Sequence, residues 1–281
     1  MKNKLYDLTI PQKSILLTEQ YYSNTNINNI CGTAILKTKV DFTILEKALN
    51  LLVQNNDSLR IKLVKKDNSY KQTLCDYEYF PINIIELNSQ DELRDLQNST
   101  VKKLFNLEDN LYELKMFKFP EGNGGFIVNI HHIISDGWSL GLISRRVMEA
   151  YEALLNTATV EYNPNYSYLN YIDSEQKYLN SNKFIIDKKY WNEKFSTIPA
   201  SISLPTTTKS SDEFSCIADR ELFFISKTLL KKLQKYCKER KVSLFNFFMS
   251  IFSVYLYKIN NFVLKIVYNV HKYIDNHNIL W

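Results

Sequence analysis

The 281-residue sequence is poor in glycine and proline, with six of each, and it has only four cysteines. Glycine and proline this sparse exclude a fibrous repeat and give no sign of a disordered, low-complexity chain. Cys31, Cys75, Cys216 and Cys237 are widely separated, form no Cys-x-x-Cys pair and lie in apolar or helical contexts. We therefore expect a folded globular protein whose cysteines are reduced, buried thiols.

The sequence also lacks a basic stripe and a secretory signal. Its net charge of +5 is spread along the chain, with only short runs such as Lys65-Lys66 and Lys231-Lys232, so a solvated surface is expected and a nucleic-acid partner is not. No positively charged start followed by an apolar run opens the chain. A cytoplasmic location is therefore expected by default.

No apolar run is long enough to cross a membrane as a helix. The best candidate, Leu244 to Ile259, is interrupted by Asn246, Ser250, Ser253 and Lys258, whereas a span needs about 20 largely apolar residues. We predict a buried core helix for this segment and no membrane partner.

Hydrophobic periodicity and turn residues predict a chain of mixed helices and strands without internal repeats. Helices are predicted at about 11–22, 42–54, 91–104, 139–155, 166–179, 185–195, 226–240 and 243–259, with Asp41, Ser89 and Ser139 as N-caps. Strands are predicted at 30–40, 59–64, 70–77, 80–87, 111–119, 126–132 and 214–225, with a hairpin turn at Asp67-Asn68. The fold class is α/β, as a two-layer α+β arrangement with a mixed sheet and flanking helices.

The chain is predicted to form two lobes, since single cores stop growing near this length. Residues 1–180 are assigned to the first lobe, and residues 181–281 to connecting helices and an incomplete second lobe. A stretch rich in proline, serine and threonine, from Ile198 to Asp212, is the best candidate for the boundary between them.

His131 and His132 close the strand predicted at 126–132 and are the first candidate functional residues. Adjacent strand residues point to opposite faces, so only one of the two rings can face a cleft. The same geometry argues against a metal site made by both rings, and the remaining histidines, His271 and His277, lie far along the chain.

A histidine at a strand end, followed by a tight loop, suits a general base that works near neutral pH. Asp136 can anchor such a loop through an ion pair or by accepting backbone N–H groups, and Gly137 can adopt positive φ or lie close to a ligand. From spacing alone the alternative of a core histidine followed by an ordinary Asp-Gly turn stays open.

Residues 131–139 read HHIISDGWS, which resembles the His-His-x-x-x-Asp-Gly signature of condensation domains from nonribosomal peptide synthetases. They agree with the extended form His-His-x-Ile-Ser-Asp-Gly-Trp-Ser at every position. The short signature is shared with the wider superfamily of chloramphenicol acetyltransferase-like, CoA-dependent acyltransferases. The Ile-Ser before Asp136 and the Trp-Ser after Gly137 favour the synthetase branch.

Other segments agree with the family's motifs in order and rough spacing, so that the resemblance covers about residues 5–260. Residues 11–16 are similar to the first motif, Ala-Gln-x-Arg-x-Trp, with Ser14 and Leu16 at the Arg and Trp places. Residues 55–60 resemble the second motif, Arg-His-Glu-x-Leu-Arg, and keep only the acidic residue Asp57, Leu59 and Arg60. Residues 168–171 resemble the motif Tyr-x-Asp-Tyr with Asn170 for Asp, and residues 188–191 contain the Tyr-Trp pair that follows it.

The resemblance implies a chloramphenicol acetyltransferase-like lobe and an amide-forming reaction. In such enzymes the second histidine, here His132, acts on an acceptor amine as the amine attacks a donor thioester. Beside it stand His131, Asp136 as a structural anchor of the loop, and Gly137, whose backbone N–H could donate to the oxyanion. Both substrates are implied to arrive on the phosphopantetheine arms of carrier proteins or other synthetase modules, and no cofactor or metal is expected to bind directly.

The resemblance also implies a longer second lobe than these residues provide. After Asn260-Asn261 the family continues as Phe-Val-x-Gly-x-Pro, whereas Lys265 and Val267 stand at the Gly and Pro places here. We therefore expect a second lobe that is truncated, an apolar face of Leu244 to Ile259 that is exposed, and a weakly active or inactive chain that self-associates or needs a second polypeptide. Two alternatives stay open: a stand-alone acyltransferase that uses acyl-CoA and a small alcohol or amine, and a non-catalytic remnant or docking module.

Overall fold

A computed structural model describes residues 4–67, 69–160, 167–198 and 221–260 of the chain. It divides into two compact units, Met1–Lys189 and Tyr190–Trp281, so the predicted division after residue 180 falls inside the first unit. Of the predicted lobe boundary, residues 199–212 lie outside the described residues.

The described elements alternate between strands and helices. The strands are β1 (Leu5–Asp7), β2 (Asn29–Leu36), β3 (Ile61–Lys66), β4 (Ser69–Leu74), β5 (Ile84–Glu86), β6 (Tyr112–Lys118) and β7 (Gly124–His131). The helices are α1 (Ile10–Tyr21), α2 (Phe42–Asn55), α3 (Gln90–Val101), α4 (Gly137–Leu155), α5 (Tyr168–Leu179), α6 (Asn182–Lys194), α7 (Lys227–Glu239) and α8 (Leu244–Asn260), and a short 3-10 helix covers Asp57–Arg60.

The larger sheet has the strand order β2-β7-β6-β5, in which β5 and β6 are parallel and the other pairs are antiparallel. The predicted mixed sheet with flanking helices, and the predicted antiparallel pair β6 and β7, are confirmed. All eight residues of β7 are buried. Phe126 lies in a core cluster with residues of α2 and α4, while Ile127 packs with Leu93 of α3. Because helices cover both faces, β7 shows no alternation of apolar and polar residues.

Helix α2 follows the predicted pattern, and its apolar stripe lies in the core cluster that also contains Met116 of β6 and Val128 of β7. Leu45, Leu49 and Leu52 are at most 1% exposed, and burying each such side chain contributes about 1.5–3 kcal/mol. The predicted cap is confirmed, since the carboxylate of Asp41 accepts a hydrogen bond from the Ile44 amide at 3.1 Å. This helix therefore packs in the core behind the strand that ends at His131.

The smaller sheet, with strand order β1-β4-β3, is antiparallel throughout. The hairpin predicted at Asp67 is confirmed, and Asp67 adopts the left-handed conformation at φ 53°. Strand β1, at Leu5–Asp7, was not predicted, because three residues are too few to show a period.

The strands predicted at 30–40 and 70–77 end earlier, at Leu36 and Leu74. Two further strand predictions differ more from the structure. The strand predicted at 80–87 shrinks to β5, because the side-chain amide of Asn50 donates to the Phe80 carbonyl at 2.9 Å and accepts from the Phe80 amide at 3.1 Å. Phe80 is therefore bound to a helix instead of a neighbouring strand. Of the strand predicted at 214–225, the described part, 221–225, is not a strand, and no other strand occurs in the described part of its unit to pair with it.

Helix α8 forms as predicted, but it is not the buried core helix that we expected. None of its side chains from 244 to 259 is buried, and Phe245 is 71% exposed. Within its unit it packs on α7, where Tyr236 meets Phe247 edge to face at 5.6 Å. One neighbouring helix can cover only one side of α8, so the rest of its apolar surface stays exposed.

Among the described residues no single helix is long and apolar enough to cross a membrane, although α7 and α8 together pass by length and composition as a pair bent by 98°.

The cysteine prediction is confirmed in part. Cys31, Cys75 and Cys237 are free thiols, but only Cys237 is buried and the other two are partly exposed. Partial burial raises the pKa of Cys31 above its usual value, which keeps that thiol protonated. Cys216 lies outside the described residues.

Candidate active site

The two histidines occupy different environments where β7 ends. His131 is the last residue of the strand and is 1% exposed, whereas His132 lies in the following turn and is exposed. Because His132 lies just beyond the strand, the turn, and not the strand alternation expected from the sequence, sets the direction of its ring. Its amide donates to the Asn28 carbonyl at 2.7 Å.

The orientation of the His132 ring leaves one nitrogen available for chemistry. Nδ1 lies 2.8 Å from the backbone carbonyl oxygen of Ser135. A carbonyl oxygen can only accept, so Nδ1 carries the proton and the lone pair is on Nε2. The ring is exposed, and no hydrogen bond occupies Nε2 among the described residues. This tautomer is the one a general base requires.

His131 is held by the protein on both ring nitrogens. Its Nδ1 accepts from the Ile133 amide at 3.1 Å, and its Nε2 lies 3.3 Å from the carboxylate of Glu19. Phe105 meets the ring edge to face with centroids 6.1 Å apart. Burial lowers the pKa of His131 below its ordinary value, and Glu19 offsets this only in part. A neutral, fully occupied imidazole is a structural group and not an available base.

Asp136 anchors the loop by capping α4. Its carboxylate accepts from the Ser139 amide at 2.8 Å and from the Ser139 hydroxyl at 2.6 Å, while its own amide donates to that hydroxyl at 3.2 Å. These bonds hold the pKa of Asp136 below its usual value. The prediction of Ser139 as the N-cap is wrong, because Asp136 caps the helix and Ser139 is the third helical residue. Of the two anchoring modes considered, the structure shows the acceptance of a backbone N–H.

Gly137 is the first residue of α4 and does not adopt positive φ. That part of the expectation is wrong, because a helix start needs ordinary φ. Nothing lies within 4 Å of the point where a Cβ would stand. The space beside the helix start is therefore open, and the Gly137 amide lies at the positive end of the helix dipole, where it can donate to a developing anion.

Residues of the other motif segments form a hydrogen-bond network that includes the small sheet. The carboxylate of Asp57 binds the amide of Tyr168 at 2.8 Å, and the Tyr168 hydroxyl lies 3.4 Å from that of Thr9. Gln12 exchanges two amide hydrogen bonds of 2.9 Å with Gln72. Residues of three motifs thus tie α1 and α5 to the small sheet and the 3-10 helix.

Arg60 of the second motif binds the Cys75 carbonyl at 2.9 Å and lines a cavity of about 590 Å³. That cavity is lined by none of residues 131–139, which we call the histidine loop. A smaller one of about 120 Å³ does adjoin the loop through Ser135 and Ser139, with Arg146 on its wall. We place the site at the loop because the chemical groups are there, although the larger cavity is elsewhere.

No group of three or more His, Cys, Asp or Glu side chains in the described part of the chain is arranged to hold a metal ion. Sequence reasoning missed Glu19, Asn28 and the orienting carbonyl of Ser135. Ser135 follows His132 by three residues, so a tight turn could have suggested that its carbonyl reaches the His132 ring. Glu19 and Asn28 are more than one hundred residues from the loop in sequence, and no local pattern marks them.

The chain is similar to known proteins in both sequence and fold. The family model described as Condensation domain matches residues 2–267. Surfactin synthase subunit 1 of Bacillus subtilis (strain 168) is 27% identical over 269 residues, which cover 92% of this chain and 7% of that protein. Tyrocidine synthase 3 of Brevibacillus parabrevis is 23% identical over 256 residues, with 91% and 4% covered.

Solved structures agree with the fold. The first condensation domain of the CDA synthetase has a TM-score of 0.73 at 18% identity, and the match covers 92% of this chain and 63% of that one. A starter condensation domain of the rhizomide synthetase, in complex with C8-CoA and Leu-SNAC, has a TM-score of 0.76 at 18% identity, with 92% and 59% covered. The chain thus spans a small part of the curated relatives and about three-fifths of the solved domains.

Proposed function

Because the chain belongs to the condensation domain family, we propose that it takes part in amide bond formation between a thioester donor and an amine acceptor, with His132 at the reaction centre. Membership rests on the family model that matches residues 2–267. The observation that carries the assignment of His132 is its hydrogen bond to the Ser135 carbonyl, which leaves the Nε2 lone pair in the open.

In the proposed step, the acceptor nitrogen attacks the carbonyl carbon of the donor thioester while one N–H proton passes to Nε2 of His132. The C–S bond then breaks, and the leaving thiolate takes up the proton, so that the products are an amide and a free thiol. Proton transfer by a positioned imidazole contributes about 10²–10⁴-fold to such a rate. The Gly137 amide is proposed to stabilise the oxyanion, and Asp136 holds both groups in place through its cap.

The substrates are proposed to arrive on phosphopantetheine arms of carrier proteins, which are part of the same synthetase or of a partner module. His131 does not exchange protons with substrate in this scheme, because both of its ring nitrogens are already bonded. No cofactor is proposed for the chain itself. We further propose a cytoplasmic location, where the free thiols Cys31 and Cys75 would stay reduced.

The test is a single-turnover reaction with the chain in excess over a loaded donor carrier and a loaded acceptor carrier. We expect slow formation of the amide, measured by mass spectrometry, and a loss of about 100-fold or more in His132→Ala. His132→Asn is the matched variant, since its amide can donate to Ser135 in place of Nδ1 but offers no base. This variant should keep the conformation of the loop and lose the amide-forming activity.

Two results would contradict the proposal: no amide from the wild-type chain, or equal rates with and without the imidazole. The same assay separates the acyltransferase alternative. Free acyl-CoA with a soluble amine, in place of the two carriers, should give no product above background, whereas efficient turnover would favour a stand-alone enzyme.

A further inference from the structure

Glu19 of α1 stands behind the histidine loop and joins two of its supports. The same carboxylate oxygen, Oε2, accepts from the side-chain amide of Asn28 at 2.7 Å and faces Nε2 of His131 at 3.3 Å. Both partners are almost fully buried, at 4% for Asn28 and 1% for His131. A buried donor that lost its acceptor would destabilise the fold, so this carboxylate is needed where it lies.

Asn28 and His131 each in turn accept a hydrogen bond from a backbone amide of the loop. The backbone carbonyl of Asn28 accepts the His132 amide at 2.7 Å. Nδ1 of His131 accepts the Ile133 amide at 3.1 Å. The two peptide groups on either side of the His132 side chain are therefore both fixed by groups that Glu19 holds.

The arrangement works for only one tautomer of His131. A backbone amide can only donate, so Nδ1 must be unprotonated to receive Ile133, and the ring proton must then be on Nε2. A carboxylate is the acceptor that Nε2–H requires in a buried site. If Nδ1 were protonated, two N–H groups would face each other and the turn after β7 would have to move.

We propose that Glu19 is a positioning residue for His132: it selects the Nε2–H tautomer of His131 and holds Asn28, and together these fix the turn that aims His132. The link from position to rate rests on the function proposed above, whereas the link from Glu19 to the two imidazoles does not.

The first measurement is therefore made on the rings themselves. The chain has only four histidines, so ¹⁵N-histidine labelling gives few signals, and His131→Phe and His132→Asn identify the two of interest. In the wild type we expect His131 as a pure Nε2–H tautomer and His132 as a pure Nδ1–H tautomer. Glu19→Leu should convert both to exchanging mixtures, and Glu19→Gln, which keeps an acceptor oxygen, should restore them.

The second measurement is the single-turnover rate with loaded carriers. Glu19→Leu should lower the rate about 10- to 100-fold, as expected when a catalytic group is misplaced by about 1 Å, while carrier affinity changes by less than about twofold. Glu46→Leu is the matched control, because Glu46 on α2 also binds one side chain, the Tyr79 hydroxyl at 2.8 Å, away from the loop. It should leave the rate and both tautomers unchanged.

Unchanged tautomers in a folded Glu19→Leu chain, checked by circular dichroism, would overturn the inference whatever the rates. Altered tautomers in a series in which even the wild type forms no amide would support the positioning network and overturn the proposed function. If Glu46→Leu perturbed the two rings as strongly as Glu19→Leu, the effect would be general destabilisation and the inference would be wrong.

Discussion

At the scale of single residues, the structure distinguishes the two adjacent histidines by the hydrogen bonds of their ring nitrogens. His131 has both nitrogens bonded and is buried, whereas His132 has one bonded nitrogen and is exposed. The motif predicts a pair of histidines, but it does not indicate which ring has both nitrogens hydrogen-bonded. That distinction depends on Glu19 and on the Ser135 carbonyl. Of these two groups, only the Ser135 carbonyl is near enough in sequence to be anticipated.

The buried state of His131 predicts a pH dependence of stability. Burial holds its pKa below the ordinary 6.5, with Glu19 opposing this and His132 reinforcing it. Below pH 6.5 the unfolded chain therefore binds a proton that the folded chain resists, and the free energy of unfolding falls as the pH drops from about 7.5 to about 5.5. Denaturant unfolding at the two pH values measures the fall, which should be smaller in His131→Asn. An equal fall in both chains would show that the buried imidazole is not the cause.

At the scale of elements, β7 packs closely against β2, whereas the start of α4 is open. A Cβ on Gly125 would lie 1.9 Å from the carbonyl oxygen of Ala34 in β2, whereas one on Gly137 would meet nothing within 4 Å. Gly125→Ala should therefore cost at least about 3 kcal/mol, the upper end of ordinary overpacking. Gly137→Ala should change the stability by less than about 0.5 kcal/mol, as at an open surface position.

Urea unfolding of the two glycine variants measures the difference. Because Gly137→Ala keeps the fold, it also reports on the open space: a loss of condensation activity without loss of stability would place substrate beside the start of α4. Equal stabilities of the two variants would contradict the spacing of β2 and β7 described above.

Elements were predicted well where the signal is local. Helix α2 shows its period in its own residues, and its cap, Asp41, adjoins it. The errors arose where a distant group intervenes, as when Asn50 of α2 binds the backbone of Phe80. Ser139 was mistaken for the cap because it and Asp136 both suit that position, and only geometry shows that they bond reciprocally.

At the scale of the whole molecule, the motif segments have divided roles. Residues 131–139 form the histidine loop that we propose as the reaction centre, while Gln12, Asp57 and Tyr168 fix helices and the small sheet through bonds that cross 60 to 111 residues of sequence. Order and spacing identify the family, but they do not show which motif touches substrate. We assign a structural role to those three because their polar groups are bonded within the fold, Gln12 to Gln72 and Asp57 to Tyr168.

The apolar side of α8 predicts the association state of the chain. Phe245, Phe248, Phe252 and Tyr255 recur at helical spacing on one face and are 42–71% exposed. A continuous aromatic stripe of this kind favours association, because each contact removes apolar surface from water. We expect the wild-type chain to sediment as a concentration-dependent oligomer between about 1 and 100 µM, the range of weak protein contacts.

Replacing two residues of that stripe, in Phe245→Ser with Phe252→Ser, should shift the sedimentation toward the monomer while far-UV circular dichroism stays the same. Leu17→Ser on α1 is the control, since Leu17 is 67% exposed and does not belong to the stripe; it should leave the association unchanged. A wild-type chain that is monomeric throughout this range would exclude self-association through α8. If the control dissociated the oligomer as well as the double variant did, general apolar exposure would be the cause and not the α8 stripe.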